Sequence, residues 1–213
     1  MKVLVFGKTG QVAREMSTYA GVTTLSRQDA NLLHPEACTG AILSRKPDCV
    51  VNAAAYTQVD SAEKDEQAAM TVNAHSPAAM ARACADLDIP FASLSTDYVF
   101  DGTGQTPWRE EDPVAPQNAY GRSKVFGEQA VLASGARALI MRTSWVFSSH
   151  GSNFVKSMLR AAETRKDLRI VGDQFGAPTP AESIAAALMS MLSQVPGRSQ
   201  TGIYHFSGTP NLS

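Results

Sequence analysis

Tyr120 and Lys124 stand four residues apart in Tyr120-Gly121-Arg122-Ser123-Lys124, inside a stretch whose apolar spacing predicts a helix over 118–134. Positions i and i+4 share one helix face, so the two side chains are neighbours. An ammonium a few ångströms from a phenol favours the phenolate and would lower its pKa from about 10. Such a tyrosine can donate a proton to a carbonyl oxygen as hydride reaches the carbon, and a further hydroxyl can orient that oxygen. Ser95-Thr96-Asp97-Tyr98-Val99-Phe100, at the end of an apolar run, offers hydroxyls of this kind. The Tyr–Lys spacing alone is common on helix surfaces. It gains weight from what precedes it in the chain.

Gly7-Lys8-Thr9-Gly10-Gln11-Val12-Ala13 follows the first apolar run and opens the first amphipathic one. G-x-x-G-x-x-A between a strand and a helix is the setting of a dinucleotide fingerprint. Gly7 permits a sharp turn, and Gly10 lets the backbone approach a diphosphate at a helix N-terminus, where N–H groups favour anions. Ala13 keeps the helix close to the sheet. Gly-Lys-Thr also ends a P-loop, but that motif needs glycine five residues before Gly7, where Lys2 stands. The phosphate-transfer reading fails on spacing.

Two further stretches extend the pattern. After the second apolar run, Ser26-Arg27-Gln28-Asp29-Ala30 carries opposed signals. Arg27 suits a 2′-phosphate and favours NADP, whereas Asp29 suits a ribose hydroxyl and NAD. A plain surface arginine is an equal alternative. In Asn52-Ala53-Ala54-Ala55-Tyr56-Thr57, small residues would let a flat cofactor lie against the backbone.

Strands predicted at 3–6, 22–25, 49–51, 91–94, 138–141, 168–171 and 203–206 alternate with helices at 11–20, 35–45, 61–87, 118–134, 153–164 and 180–193. Strand and helix in alternation read as an α/β fold, a Rossmann-like doubly wound parallel sheet covered on both faces. Residues 101–118 collect turn formers and charges, and loops this long are usually functional. The 213 residues suffice for one sizeable domain or one with a small lobe.

Composition excludes several classes. With 19 Lys+Arg against 20 Asp+Glu, no basic footprint for nucleic acid or anionic membrane exists. No apolar run approaches the ~20 residues of a membrane helix, and the first run is too short for a secretory signal. Cys38, Cys49 and Cys84 lack Cys-x-x-Cys spacing, which argues against disulfides or structural zinc and fits a reducing cytoplasm. His34, His75, His150 and His205 stand far apart, and none is assigned to a metal.

The glycine turn, Asn52-Ala53-Ala54-Ala55, STDYVFDG (95–102), YGRSK (120–124) and RTSWVF (142–147) together resemble the extended short-chain dehydrogenase/reductase family and, more narrowly, its dTDP-4-dehydrorhamnose reductases. The resemblance spans essentially the whole chain. It implies an NADP-binding domain over 1–143 and a substrate-binding lobe over 144–213, interleaved with late Rossmann elements. It also implies NADPH-dependent reduction of the 4-keto group of dTDP-4-dehydro-β-L-rhamnose to dTDP-L-rhamnose, with NADH as the other candidate donor. Thr96, Tyr120 and Lys124 are the implied catalytic set. Implied cofactor contacts are Gly7, Gly10, Gln11, Val12, Arg27, Asp29, Ala30, Ala55, Tyr56, Thr57, Tyr120 and Lys124. Thr96, Asp97 and Trp145 would touch the substrate, Trp145 as a flat wall for the 6-deoxy sugar. Some members hold Mg²⁺ at a homodimer interface through glutamates, and Glu15 and Glu182 match such positions. Plain exposed glutamates are the simpler alternative, since a hard cation wants about six oxygens. Another nucleotide-sugar epimerase or reductase, or a non-catalytic NADP-binding regulatory subunit, are the competing functions.

Two departures accompany the resemblance. Ala13 replaces the third fingerprint glycine, an accepted variant. The chain also stops at the polar turn Gly208-Thr209-Pro210-Asn211-Leu212-Ser213, whereas family members continue, so a C-terminal truncation is expected.

Overall fold

β1 (Val3–Phe6) is apolar at every position because both its faces are covered: Leu4 and Phe6 meet one buried layer, Val3 and Val5 another. A strand buried on both sides has no use for polar alternation. It lies between β2 (Val22–Leu25) and β3 (Cys49–Asn52), and β4 (Pro90–Thr96), β5 (Arg137–Thr143) and β8 (Gly202–His205) continue the sheet beyond β3. All pairs in the order β2-β1-β3-β4-β5-β8 are parallel. The chain reverses its direction of travel across the sheet at β1, and the crevice outside the carboxyl ends of β1 and β3 is where open α/β sheets take ligands. The computed structural model describes residues 1–104, 106–194 and 200–210, so Gln105 of the 101–118 loop and residues 211–213 of the terminal turn lie outside the described residues.

Helices cover both faces, as the Rossmann-like reading requires. α2 (Pro35–Arg45), α5 (Ser76–Asp86) and α6 (Ala119–Leu132) bury Ile42, Met80, Cys84 and Val131 against Leu4, Phe6, Phe91 and Ile140. On the other face α1 (Gln11–Met16) and α8 (Ala181–Ser193) bury Met16, Ile184 and Leu188 against Val3, Val5, Val51 and Met141. The three cysteines are free and buried. Among the described residues no helix is long and apolar enough to cross a membrane.

Three expected elements are corrected. The helix expected over 11–20 ends at Met16, after which Ser17 to Tyr19 continue as a turn. The strand expected over 168–171 does not form: Ile170 and Val171 are exposed, and the edge of β5 that it would join is taken directly by β8, with Ile140 opposite Ile203. The helix expected over 61–87 is broken into α3 (Val59–Ala62), α4 (Glu66–Met70), a wide π-turn over Thr71–His75, and α5. Asp65 starts α4 by accepting the Ala68 N–H at 3.1 Å. Pro77 explains the π-turn, because it has no N–H for the Asn73 carbonyl and its ring demands room one turn back.

The segment after β5 holds a separate pair of short parallel strands, β6 (Val146–Phe147) and β7 (Thr179–Pro180), and α7 (Phe154–Ala162), which buries none of its residues.

Candidate active site

The glycine turn sits at the carboxyl end of β1. Gly7 has φ +111°, a region that disfavours side chains, and its added Cβ would lie 3.0 Å from Ala53 C and Ala54 N. The turn therefore abuts the Ala53–Ala54 backbone at the end of β3, leaving no room for anything but hydrogen. Gly7 and Lys8 both donate to Leu25 O, at 3.0 and 2.9 Å, and Gly10 donates to Gly7 O at 2.8 Å. The first helical bond runs from Arg14 N to Gly10 O at 3.0 Å. The amides of Gln11 and Val12 thus belong to the first turn, which has no carbonyl partner within the helix. The Gln11 side chain is turned elsewhere: it donates to Val146 O at 3.2 Å and accepts from Ser148 Oγ at 3.0 Å and Asn153 Nδ2 at 2.9 Å.

Thr96 ends β4, and its hydroxyl is near enough to the Tyr120 phenol on α6 to favour the ionised phenol. Thr96 Oγ1 also reaches Asp97 Oδ1 at 3.1 Å and accepts the Tyr98 N–H at 3.2 Å. Asn118 starts α6 by accepting the Gly121 N–H at 2.7 Å, which fixes the face that Tyr120 and Lys124 present. Lys124 Nζ donates to Leu94 O at 2.7 Å, two residues before Thr96 on the same strand. Both side chains therefore reach the end of β4, at successive levels.

The electrostatics correct one expectation. Burial pushes the Tyr120 phenol up to about 12, opposed by the Thr96 hydroxyl and assisted by Asp97 and Tyr98; Lys124 does not lower it. Burial likewise pushes the Lys124 amine down to about 8, partly opposed by the Glu128 carboxylate. The physical reason is that each group is withdrawn from water, and the amine spends its hydrogen bond on a backbone carbonyl rather than on the phenol. Asp97 is also raised by burial.

A supporting network was not foreseen from sequence. Asn73, in the π-turn, accepts the Tyr56 N–H at 2.8 Å and donates to Tyr56 O at 3.0 Å and Ser123 Oγ at 2.9 Å. Ser123 in turn donates to Tyr120 O at 2.7 Å. One amide thus clamps the loop after β3 to the catalytic-candidate helix. One turn beyond Lys124, the buried Glu128 accepts from Arg142 Nη2 at 2.7 Å, Arg142 Nε at 2.9 Å and Ser95 Oγ at 2.5 Å. Arg142 also lies 5.0 Å from the Phe100 ring centre. The only hint in the sequence was the apolar setting of these polar residues, which by itself does not choose their partners.

The other expected site residues fall in different places. Ala55 and Tyr56 are partly buried and Thr57 is exposed, in the loop that Asn73 holds. Arg27 is exposed beyond β2. The Asp29 carboxylate accepts from Ser26 Oγ at 2.6 Å and Ser26 N at 2.8 Å, which keeps its pKa below the usual carboxylate range. Ala30 is buried in the core cluster that includes Leu25 and Leu32. Trp145 has φ +48° and is partly exposed, with its indole against Gly176. Glu15 faces His150 Nε2 at 3.5 Å, and Glu182 is exposed in the first turn of α8. Among the described residues no group of three or more His, Cys, Asp or Glu side chains could hold a metal ion.

Comparison with known proteins identifies the family and the fold. The family model described as RmlD substrate binding domain matches residues 1–213. A dTDP-4-dehydrorhamnose reductase of Burkholderia thailandensis is 45% identical over 222 residues, covering 100% of this chain and 74% of the relative. A crystal structure of a dTDP-4-dehydrorhamnose reductase from Clostridium acetobutylicum superposes with TM-score 0.93 at 33% identity, over 100% of this chain and 76% of that one. The enzyme of that name from Bacillus anthracis, solved in complex with NADP, also gives TM-score 0.93, at 30% identity over 100% of this chain and 77% of that one.

Proposed function

The chain belongs to the RmlD substrate binding domain family, and on that premise we propose that it reduces the 4-keto group of dTDP-4-dehydro-β-L-rhamnose to dTDP-L-rhamnose, in dTDP-rhamnose synthesis. It binds NAD(P)H, and NADPH is the proposed working donor. A reduced nicotinamide supplies hydride to the ketone carbon. Tyr120 gives its hydroxyl proton to the ketone oxygen, which becomes the 4-hydroxyl. Thr96 orients that oxygen, and Lys124 holds the nicotinamide ribose. The fit to a dinucleotide rests on the turn at Gly7, Gly10, Gln11 and Val12, where a Cβ at Gly7 would crowd the Ala53 backbone. Arg27, with Asp29 beside it, would read the adenosine ribose phosphate, and Ala55 to Thr57 would line the nicotinamide side. Asp97 and Trp145 would bound the sugar.

Residues 1–143 hold the dinucleotide in this reading, and 144–213 supply the substrate lobe, with α8 and β8 returning to the sheet. A cytoplasmic location accords with the free buried cysteines. Mg²⁺ at Glu15 and Glu182 would need further oxygen ligands from a second copy, and no proton or hydride step above involves it.

The observation that carries the proposal is the convergence on the carboxyl end of β4, where Thr96 ends the strand and Lys124, one turn after Tyr120 on α6, donates to Leu94 O at 2.7 Å. Its test is NADPH absorbance on addition of the dTDP-linked keto sugar, with UDP- and GDP-linked keto sugars as controls. Wild type should oxidise NADPH with the dTDP sugar. Tyr120→Phe should lose about 10²–10⁴-fold in turnover while NADPH affinity stays within a factor of about two. An unchanged rate in the variant would remove Tyr120 as proton donor.

A further inference from the structure

Thr143 closes β5, is only 9% exposed, and its Oγ1 is buried with no hydrogen-bond partner among the described residues. A buried hydroxyl left unpaired costs about 1–3 kcal/mol, and valine would fill the same β-branched shape without that penalty. Such a group calls for an explanation, and a ligand that brings the missing partner is one. Its place in the sheet supports that explanation. Thr143 is in register with Thr96 on the neighbouring parallel strand, so the two side chains leave the sheet on the same face, about 4.8 Å apart along the hydrogen-bonding direction. Two residues beyond Thr143, the left-handed backbone of Trp145 turns the chain out of the sheet and leaves the indole 36% exposed. Thr143 therefore stands one strand beyond Thr96 at the carboxyl end of the sheet, on the far side of β4 from the glycine turn.

We infer that Thr143 is a substrate-binding residue whose hydroxyl hydrogen-bonds a ring hydroxyl of the nucleotide-linked hexose, beside the reacting ketone. The inference rests on the keto-sugar reductase reading above. It distinguishes Thr143 from the proposed dinucleotide-binding residues, which lie at the ends of β1, β2 and β3 and on α6.

Thr143→Val and Thr143→Ser decide it, each measured for kcat/KM with the dTDP-linked keto sugar, for NADPH affinity by fluorescence titration, and for melting temperature. The valine variant should lose about tenfold in kcat/KM, chiefly through KM, and serine should restore most of it. NADPH affinity should stay within about twofold in both. The melting temperature of the valine variant should equal or exceed that of wild type, because no internal hydrogen bond is lost. A lower melting temperature would show the hydroxyl to be paired within the protein, and a parallel loss of NADPH affinity would assign it to the dinucleotide. Either result overturns the inference, as does an unchanged kcat/KM. Failure of wild type itself to oxidise NADPH with the sugar would instead overturn the functional reading, and this inference with it.

Discussion

Tyr120 and Lys124 sit one helical turn apart, and burial moves their proton affinities in opposite directions, toward about 12 for the phenol and about 8 for the amine. In both cases the neutral form is the one favoured, which is what removal from water does to an acid and to a base alike. The consequence for Lys124 is a stability term with a definite sign. Its ordinary pKa is 10.5, so between pH of about 8 and 10.5 the folded chain binds fewer protons than the unfolded one. Stability from this group must rise with pH across that window, by up to about 1.4 kcal/mol per pH unit. Lys124→Met removes the term. The wild-type minus variant unfolding free energy, from urea titrations between pH 7 and about 10.5, should therefore climb by on the order of 3 kcal/mol. Tyr120 is present in both proteins and cancels. A flat difference would mean that the amine is not withdrawn from water.

Elements meet at one crowded place, where the π-turn over Thr71–His75 touches α6. Pro77 deprives the Asn73 carbonyl of its helical donor, and the wide turn that follows carries that oxygen against Gly127. A Cβ on Gly127 would overlap Asn73 O, so the absence of a side chain is what lets α6 approach. The same approach allows the Asn73 amide to bond Ser123 and Tyr56. Gly127→Ala should push α6 away and with it the Tyr120 and Lys124 side chains, although residue 127 itself touches no reacting group. The expected result is a loss of about 1–3 kcal/mol in stability, measured by urea midpoint, together with at least a tenfold fall in turnover. Wild-type turnover in this variant would show that the placement of α6 does not depend on the close contact.

At the scale of the whole molecule the two halves are unequal in burial. The sheet and its helices hold the large buried side chains, whereas Phe154, Val155, Leu159, Ile170, Val171 and Phe175, in the segment after β6, are exposed. This segment is tied to the first helix through Gln11, which bonds Val146, Ser148 and Asn153. Regions with little buried apolar surface open at low free energy. Brief trypsin digestion should accordingly cut first, among the described residues, at the exposed Arg165, Lys166 or Arg169, leaving β1 to β5 protected. Gln11→Ala should speed those cuts several-fold without lowering the protection of the sheet. Mass spectrometry of the first fragments reads both outcomes, and early cleavage within β1 to β5 would contradict them.

The sheet strands and the glycine turn were legible in the sequence, because a strand covered on both sides must be apolar throughout and a left-handed turn at a crowded backbone admits only glycine. The helix that carries Tyr120 and Lys124 and the strand that ends at Thr96 were legible too, since helical spacing and a strand end are local properties. The break at Thr71–His75 was only half legible: Pro77 was visible, but not which carbonyl it would leave free or what would pack against it. The strand expected over 168–171 was misjudged because its residues suit a sheet, while the edge available to them depends on β8, more than thirty residues later. Charge was the least legible of all. Which way a phenol or an amine shifts depends on how much water surrounds it and which carbonyl takes its proton, and both are decided only when β4 and α6 are packed together.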